Sequence, residues 1–125
     1  MLAIVLDDLT MRHDAFDKAF KHVYHDIIHT YNFTDFFHAV TTIPAQIDYV
    51  SLDHDLGDHT YHGTPTGQIL YGTGTDAVRL LEILPMEMRP LKVNVHSFNF
   101  VRAEVMVDRL KVAGYDTTEV RFTDE

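Results

Sequence analysis

The stretch Ile47-Asp48-Tyr49-Val50-Ser51-Leu52 runs directly into Asp53-His54-Asp55-Leu56-Gly57, and no other feature restricts the fold as tightly. Its first half is apolar, β-branched or aromatic with no breaker, the pattern of a strand. Its second half delivers three ionisable side chains at once. In an open α/β sheet, ligands bind outside the carboxyl ends of the strands, so a strand that ends in a charge cluster marks that edge. The rest of the chain can be placed against it.

Leu2-Ala3-Ile4-Val5-Leu6 is a continuous apolar run that stops at Asp7-Asp8. Such a run suits a strand buried on both faces of a parallel sheet. Helical spacing follows, with Phe16, Ala19, Phe20 and Val23 on one face and Asp14, Asp17, Lys18 and Lys21 on the other. Ile27 to Tyr31 reads as a second strand. A helix from about Thr34 to Val40 carries Phe36, Phe37 and Val40 towards the core, and Pro44 ends it. Residues 58 to 73, with Gly63, Pro65, Gly67 and Gly72, break the pattern and read as a partly mobile functional cover over the sheet edge. Thr75 is the expected cap of a third helix containing Val78, Leu81 and Leu84, stopped by Pro85. Leu91-Lys92-Val93-Asn94-Val95 alternates as a fourth strand and reaches His96-Ser97. Ala103, Met106, Val107, Leu110 and Ala113 share one face of a fourth helix, closed by Gly114. A fifth strand is expected over about Thr117 to Phe122.

Strict alternation of strand and helix predicts one α/β domain over residues 1–125. The expected fold is a single doubly wound five-stranded parallel sheet of receiver- or flavodoxin-like order 2-1-3-4-5, with the last helix of that plan absent. That order sets strands 1, 3 and 4 side by side, so Asp7-Asp8, Asp53-His54-Asp55 and His96-Ser97 converge on one small area. A net charge of −9 argues against a duplex-DNA partner. It leaves room for a metal, since a bound cation offsets clustered acids. No apolar run approaches the roughly 20 residues that span a bilayer, so no membrane partner is expected. The absence of cysteine, and of a basic stretch ahead of the first apolar run, makes the cytoplasm the expected location.

Crowded carboxylates raise one another's pKa unless a cation intervenes. Asp7, Asp8 and Asp53 are therefore the expected ligands of one Mg²⁺ or Mn²⁺. Histidine can exchange a proton near neutral pH, so His54 and His96 are the expected acid and base, in either assignment. The Ser97 hydroxyl, with the N-terminus of the last helix, suits a phosphate oxygen. Tyr61 and His62 could stack on a base. Each residue also has a plainer reading: Asp7 and Asp8 as helix-capping acids, Asp53 and Asp55 as turn residues, His54 as a surface histidine, His96 as a satisfied core histidine, Ser97 and Asn99 as caps. His54, His59 and His62 could instead recruit Zn²⁺ or Ni²⁺, although their spacing matches no standard zinc motif.

Leu6-Asp7-Asp8, Leu52-Asp53-His54-Asp55-Leu56-Gly57, Gly74-Thr75-Asp76-Ala77-Val78 and His96-Ser97-Phe98-Asn99 resemble the LDD, LDHDLG, TG-x-D and HS-x-N signatures of the cyclic-phosphate-processing receiver-like family. The resemblance implies a receiver-like fold and action on cyclic phosphate ends of RNA or nucleotides. It also implies a link with RNA repair and with phage or defence systems. The candidate catalytic set read from the sheet edge is His54, His96, Ser97 and Asp55, and the candidate substrate-binding set is Asn99, Thr75, Tyr61 and His62. Two departures stand out: no lysine follows Lys111, where receivers use one after strand 5, and Phe100 stands where the family often has proline. Three functional classes follow. The first is a metal-dependent phosphoesterase whose partner is a phosphorylated small molecule or an RNA end. The second is a signalling receiver phosphorylated on Asp53, and the third a non-catalytic module that binds a protein partner. Oligomeric state is left open by the sequence.

Overall fold

The computed structural model describes residues 1–53, 73–96 and 100–119. Their elements are β1 (Leu2–Leu6), α1 (Thr10–Phe20), β2 (Asp26–Thr30), α2 (Phe33–Thr42), β3 (Tyr49–Leu52), α3 (Gly74–Ile83), β4 (Lys92–Val95), α4 (Phe100–Val112) and β5 (Asp116–Glu119). A single 3₁₀ turn, Met86–Met88, lies between α3 and β4. All four strand pairings are parallel, and the order is β2-β1-β3-β4-β5. This is the doubly wound order read from the sequence. The expected cover over 58–73 lies almost wholly outside the described residues, as does the end of the fifth strand.

Register divides the sheet into two unlike faces. Leu2, Ile4 and Leu6 of β1, with Val50, Leu52, Val93 and Val95, pack under α2, α3 and α4 through Phe36, Val40, Val78, Leu81, Met106 and Leu110. The opposite face of β1 offers Ala3 and Val5, which lie under α1 with Phe16 and Tyr49. Pairing carries that second face outward through Val5, Ser51, Asn94 and Thr118. Among the described residues only α1 covers it, and towards β5 its residues turn polar: Lys92, Asn94, Asp116 and Thr118. The alternation seen in β4 follows from this asymmetry, because among the described residues only one of its faces meets helices.

Three sequence expectations need correcting. The buried stripe of α1 is His13 and Phe16, while Ala19 is exposed and Val23, in the turn after the helix, is 46% exposed. The helix ends early so that Tyr24 can turn back onto Tyr49, where their rings sit 5.5 Å apart beside Phe16 and Phe20. Phe36 is fully buried, but Phe37 on the next step of α2 points outward into an apolar groove shared with Phe33 and Ile83. The cap of α3 is Thr73, not Thr75: the Asp76 carboxylate accepts the Thr73 backbone N–H at 2.7 Å, a capping box that needs the acid three residues after the cap. The plan of α2 is similar, with the Asn32 Oδ1 accepting the Asp35 N–H at 2.8 Å.

Arg89 ties the far end of the molecule together. Its guanidinium donates to the Leu84, Glu82 and Ala113 carbonyls at 3.1, 3.0 and 2.8 Å, so one cation satisfies the C-terminal carbonyls of two helices. The same group lies 5.0 Å from the centre of the Tyr115 ring, whose hydroxyl donates to Leu81 O at 2.6 Å. No helix of the described residues is long and apolar enough to cross a membrane.

Candidate metal centre

The sheet ladder runs one step past each central strand. The Asp7 N–H donates to Thr30 O at 3.1 Å, the Asp53 N–H to Leu6 O at 2.9 Å and the His96 N–H to Leu52 O at 2.8 Å. Three polar residues at the carboxyl edge are thereby held by sheet hydrogen bonds. Two-residue alternation from Val5, Ser51 and Asn94 brings Asp7, Asp53 and His96 onto the α1 side of the sheet.

Asp7, Asp8 and Asp53 each present a carboxylate oxygen, all within 4.8 Å of one another. Asp7 and Asp53 are buried and Asp8 is half-buried. Hard carboxylate oxygens gathered in this way fit a divalent cation such as Mg²⁺, Mn²⁺ or Ca²⁺. The three aspartates read from the sequence as metal ligands are therefore close neighbours in the fold.

Asp7 is the most heavily braced of them. Its Oδ1 accepts the Leu9 N–H at 2.9 Å, and its Oδ2 accepts from His96 Nε2 at 2.8 Å and from Arg12 at 3.3 Å. Burial by itself pushes the Asp7 carboxyl up, but the hydrogen bond and charge of His96, the Leu9 amide and Arg12 outweigh it and hold the group below its ordinary value. Asp7 is thus a carboxylate at neutral pH.

An ionised Asp7 settles the proton arrangement of His96. The ring is 1% exposed, and Nε2 must carry hydrogen to bond Asp7 Oδ2. Nδ1 lies 2.7 Å from the buried Ser51 hydroxyl. In the neutral ring, Ser51 donates to Nδ1 and His96 donates to Asp7. Both ring nitrogens are engaged, an arrangement that orients a carboxylate.

Three further groups were not singled out from the sequence. Arg12, in the first turn of α1, stands 3.3 Å from both Asp7 Oδ2 and Asp53 Oδ2, with its side chain 11% exposed. The available cue was a basic residue in a first helical turn, against the helix dipole. The second is His13, which is buried and lies 2.8 Å from the Asp7 carbonyl through Nε2. Its Nδ1 faces His29 Nδ1, and His29 in turn meets Asp17 at 2.9 Å. Burial pushes the His13 pKa down, opposed in part by its bond to the Asp7 carbonyl. Ser51 was visible as a strand residue only; its cue was its place two residues before Asp53, on the same face of β3.

Thr75 sits in the first turn of α3 and is half-buried. His54, Asp55, Tyr61, His62, Ser97 and Asn99 lie outside the described residues, as does His59.

Solved structures of similar shape are receiver domains. A CheY-like response-regulator receiver domain from Methylobacillus flagellatus aligns with a TM-score of 0.65 at 20% identity, covering 99% of this chain and 88% of that one. A response regulator from Burkholderia pseudomallei, solved with a phosphorylated aspartic acid, calcium ion and citrate, aligns with a TM-score of 0.63 at 11% identity over 99% of this chain. The chain spans 61% of that protein's length. At these identities the likeness is one of fold, the flavodoxin- and CheY-like receiver fold. No curated protein matches the sequence. A family model described as the cyclic-phosphate processing receiver domain matches residues 2–112, and the chain belongs to that family.

Proposed function

We propose that this domain is a divalent-metal-dependent phosphoesterase that opens cyclic phosphate ends of RNA or nucleotides. One observation carries the reading: in a member of the cyclic-phosphate processing family, three carboxylates lie within 4.8 Å of one another at the carboxyl edge. Buried polar machinery steers the central one, Asp7, through His96 and Ser51. Mg²⁺ or Mn²⁺ on Asp7, Asp8 and Asp53 would draw charge from the phosphoryl oxygens of a substrate.

Ring opening requires water to attack phosphorus while the P–O bond to one ring oxygen breaks and that oxygen takes up a proton. His54 follows Asp53 directly in the chain and is our candidate for the proton transfer, with Asp55 as its neighbouring acid. His96, with both nitrogens engaged, is assigned to orienting Asp7. Ser97, at the entry to α4, is assigned a phosphate oxygen. Asn99, Thr75, Tyr61 and His62 are assigned to the remainder of the substrate.

The test is a panel of 2′,3′-cyclic nucleotides and cyclic-phosphate-ended RNA, each incubated with Mg²⁺, with Mn²⁺ and with EDTA. The expected result is a metal-dependent monophosphate product, with His54→Ala slower by about 10²- to 10⁴-fold, the usual range for acid–base catalysis. No product from any substrate with either metal would remove the proposal. A second reading, phosphoryl acceptance by Asp53, draws on the likeness to signalling receivers. Acetyl phosphate followed by intact-mass spectrometry tests it, since only that reading yields a phosphorylated chain.

A further inference from the structure

The least expected group at the carboxyl edge is Arg12. A cation in the first turn of a helix is opposed by the helix dipole. Arg12 nevertheless occupies that turn with its side chain 11% exposed, one guanidinium nitrogen reaching Asp7 Oδ2 and Asp53 Oδ2 at 3.3 Å each. Both contacts are long for charge-assisted hydrogen bonds, which settle at about 2.7–2.9 Å. The guanidinium is therefore shared between two carboxylates, in a looser arrangement than the two-pronged pair that Arg109 makes with Glu82.

These are two of the three carboxylates that would hold a divalent ion. Mg²⁺ draws oxygen ligands to about 2.1 Å and requires near-octahedral geometry. The Oδ2 atoms of Asp7 and Asp53 cannot both turn fully to the ion while they hold the Arg12 nitrogen, and two adjacent cations repel. Resting on the metal-dependent reading above, we propose that Arg12 is an exchangeable internal cation. It neutralises Asp7 and Asp53 while the site is metal-free, is displaced when the divalent ion binds, and then binds the anionic phosphate of the substrate. Guanidinium suits the second task as well as the first, because its planar array of N–H donors matches phosphate oxygens. The consequence is coupled binding: metal weakens the hold on Arg12, and a freed Arg12 raises phosphate affinity by the same factor in both directions.

Isothermal titration of Mg²⁺ and of inorganic phosphate, each alone and in the presence of the other, measures the coupling in the wild-type chain and in Arg12→Gln. The Gln variant should bind Mg²⁺ roughly tenfold more tightly, equivalent to about 1.4 kcal/mol, because no guanidinium has to be displaced. In the same variant, Mg²⁺ should raise phosphate affinity by a smaller factor than in the wild type, because only the ion's direct attraction for phosphate remains. Unchanged or weaker Mg²⁺ binding in Arg12→Gln would overturn the exchange. Tighter Mg²⁺ binding with coupling intact would overturn the phosphate role.

A wild-type measurement covers the case in which the variant is unstable. The Arg12 side-chain ¹⁵N–¹H signal, assigned with Arg12→Lys, should move through the Mg²⁺ titration, and a signal unmoved at saturation refutes displacement. If the wild type binds no divalent ion, this inference and the metal-dependent reading fall together. If exchange is observed but no cyclic phosphate is opened, the proposed reaction alone falls.

Discussion

Replacing Ser51 with alanine tests the arrangement that orients Asp7. The hydroxyl is buried, sits 2.7 Å from His96 Nδ1 and lies on β3 beneath Asp53. Alanine removes one oxygen, so the cavity is negligible, but it deletes the hydrogen bond between the hydroxyl and a buried ring nitrogen. Removing one hydrogen-bond partner from a buried polar group costs about 1–3 kcal/mol. In a domain of this size that is a fall in Tm of roughly 4 °C per kcal/mol. The Nε2–H tautomer should survive, because the Asp7 carboxylate still demands the hydrogen, but the ring becomes free to rock. Loss of an outer partner of a metal ligand typically weakens metal binding about 10- to 100-fold, and Ser51, one bond further out, should fall at the lower end. Chemical denaturation in EDTA measures the first effect and Mg²⁺ calorimetry the second. Ser51→Thr, which keeps the hydroxyl, should retain more of both properties. The decisive control is the same substitution in a His96→Phe background, where the hydroxyl has no ring nitrogen to serve. If Ser51→Ala costs as much there as in the wild type, its effect comes from packing and the proposed arrangement is refuted.

Divalent cations should stabilise the wild type by about 2.7 kcal/mol at a hundredfold excess over Kd, as binding to the native state alone requires. Asp7→Asn and Asp53→Asn should each abolish that gain in a thermal-shift titration, and retention of the gain in both would exclude these ligands. Arg89→Ala should lower stability by about 2–4 kcal/mol in denaturant melts, since three carbonyl contacts from a charged donor disappear together. A loss below half a kcal/mol would mean that water replaces them.

Acid should act in two stages. His13, held below its usual 6.5, stays neutral in the fold while the unfolded chain gains a proton, so stability declines as pH drops below about 6.5. Asp7, held below its usual 3.8, adds a second decline as pH falls through its lowered value. On the alkaline side, burial pushes Tyr49 and Tyr115 up to about 12, so stability should fall from pH 10 towards 12 as the unfolded tyrosines ionise first. Melts across pH check all three limbs, and Tyr115→Phe should flatten the last.

Strand identity, helix identity and sheet order were legible in the sequence because they depend on local pattern. The solid run Leu2–Leu6 could only be a strand covered on both faces, and a strand–helix alternation leaves few right-handed ways to wind a sheet. The gathering of Asp7, Asp8 and Asp53 followed from that order, since adjacent parallel strands bring their carboxyl ends together. What the sequence could not supply was anything set by facing direction across elements. Whether α1 turned His13 or Ala19 inward depended on where Tyr24 had to land, and whether Phe36 or Phe37 faced the core depended on the rotation of α2 over β1. Ser51 and Arg12 carry only faint local marks of their connection to the acids: one reaches His96 at the end of the neighbouring strand, the other reaches Asp7 and Asp53 from a helix. Hydrophobic periodicity is a property of neighbours in the chain, whereas hydrogen-bond partners are neighbours in space. Only the folded sheet, with α1 laid across it, decided that a serine would set a histidine and an arginine would stand among the aspartates.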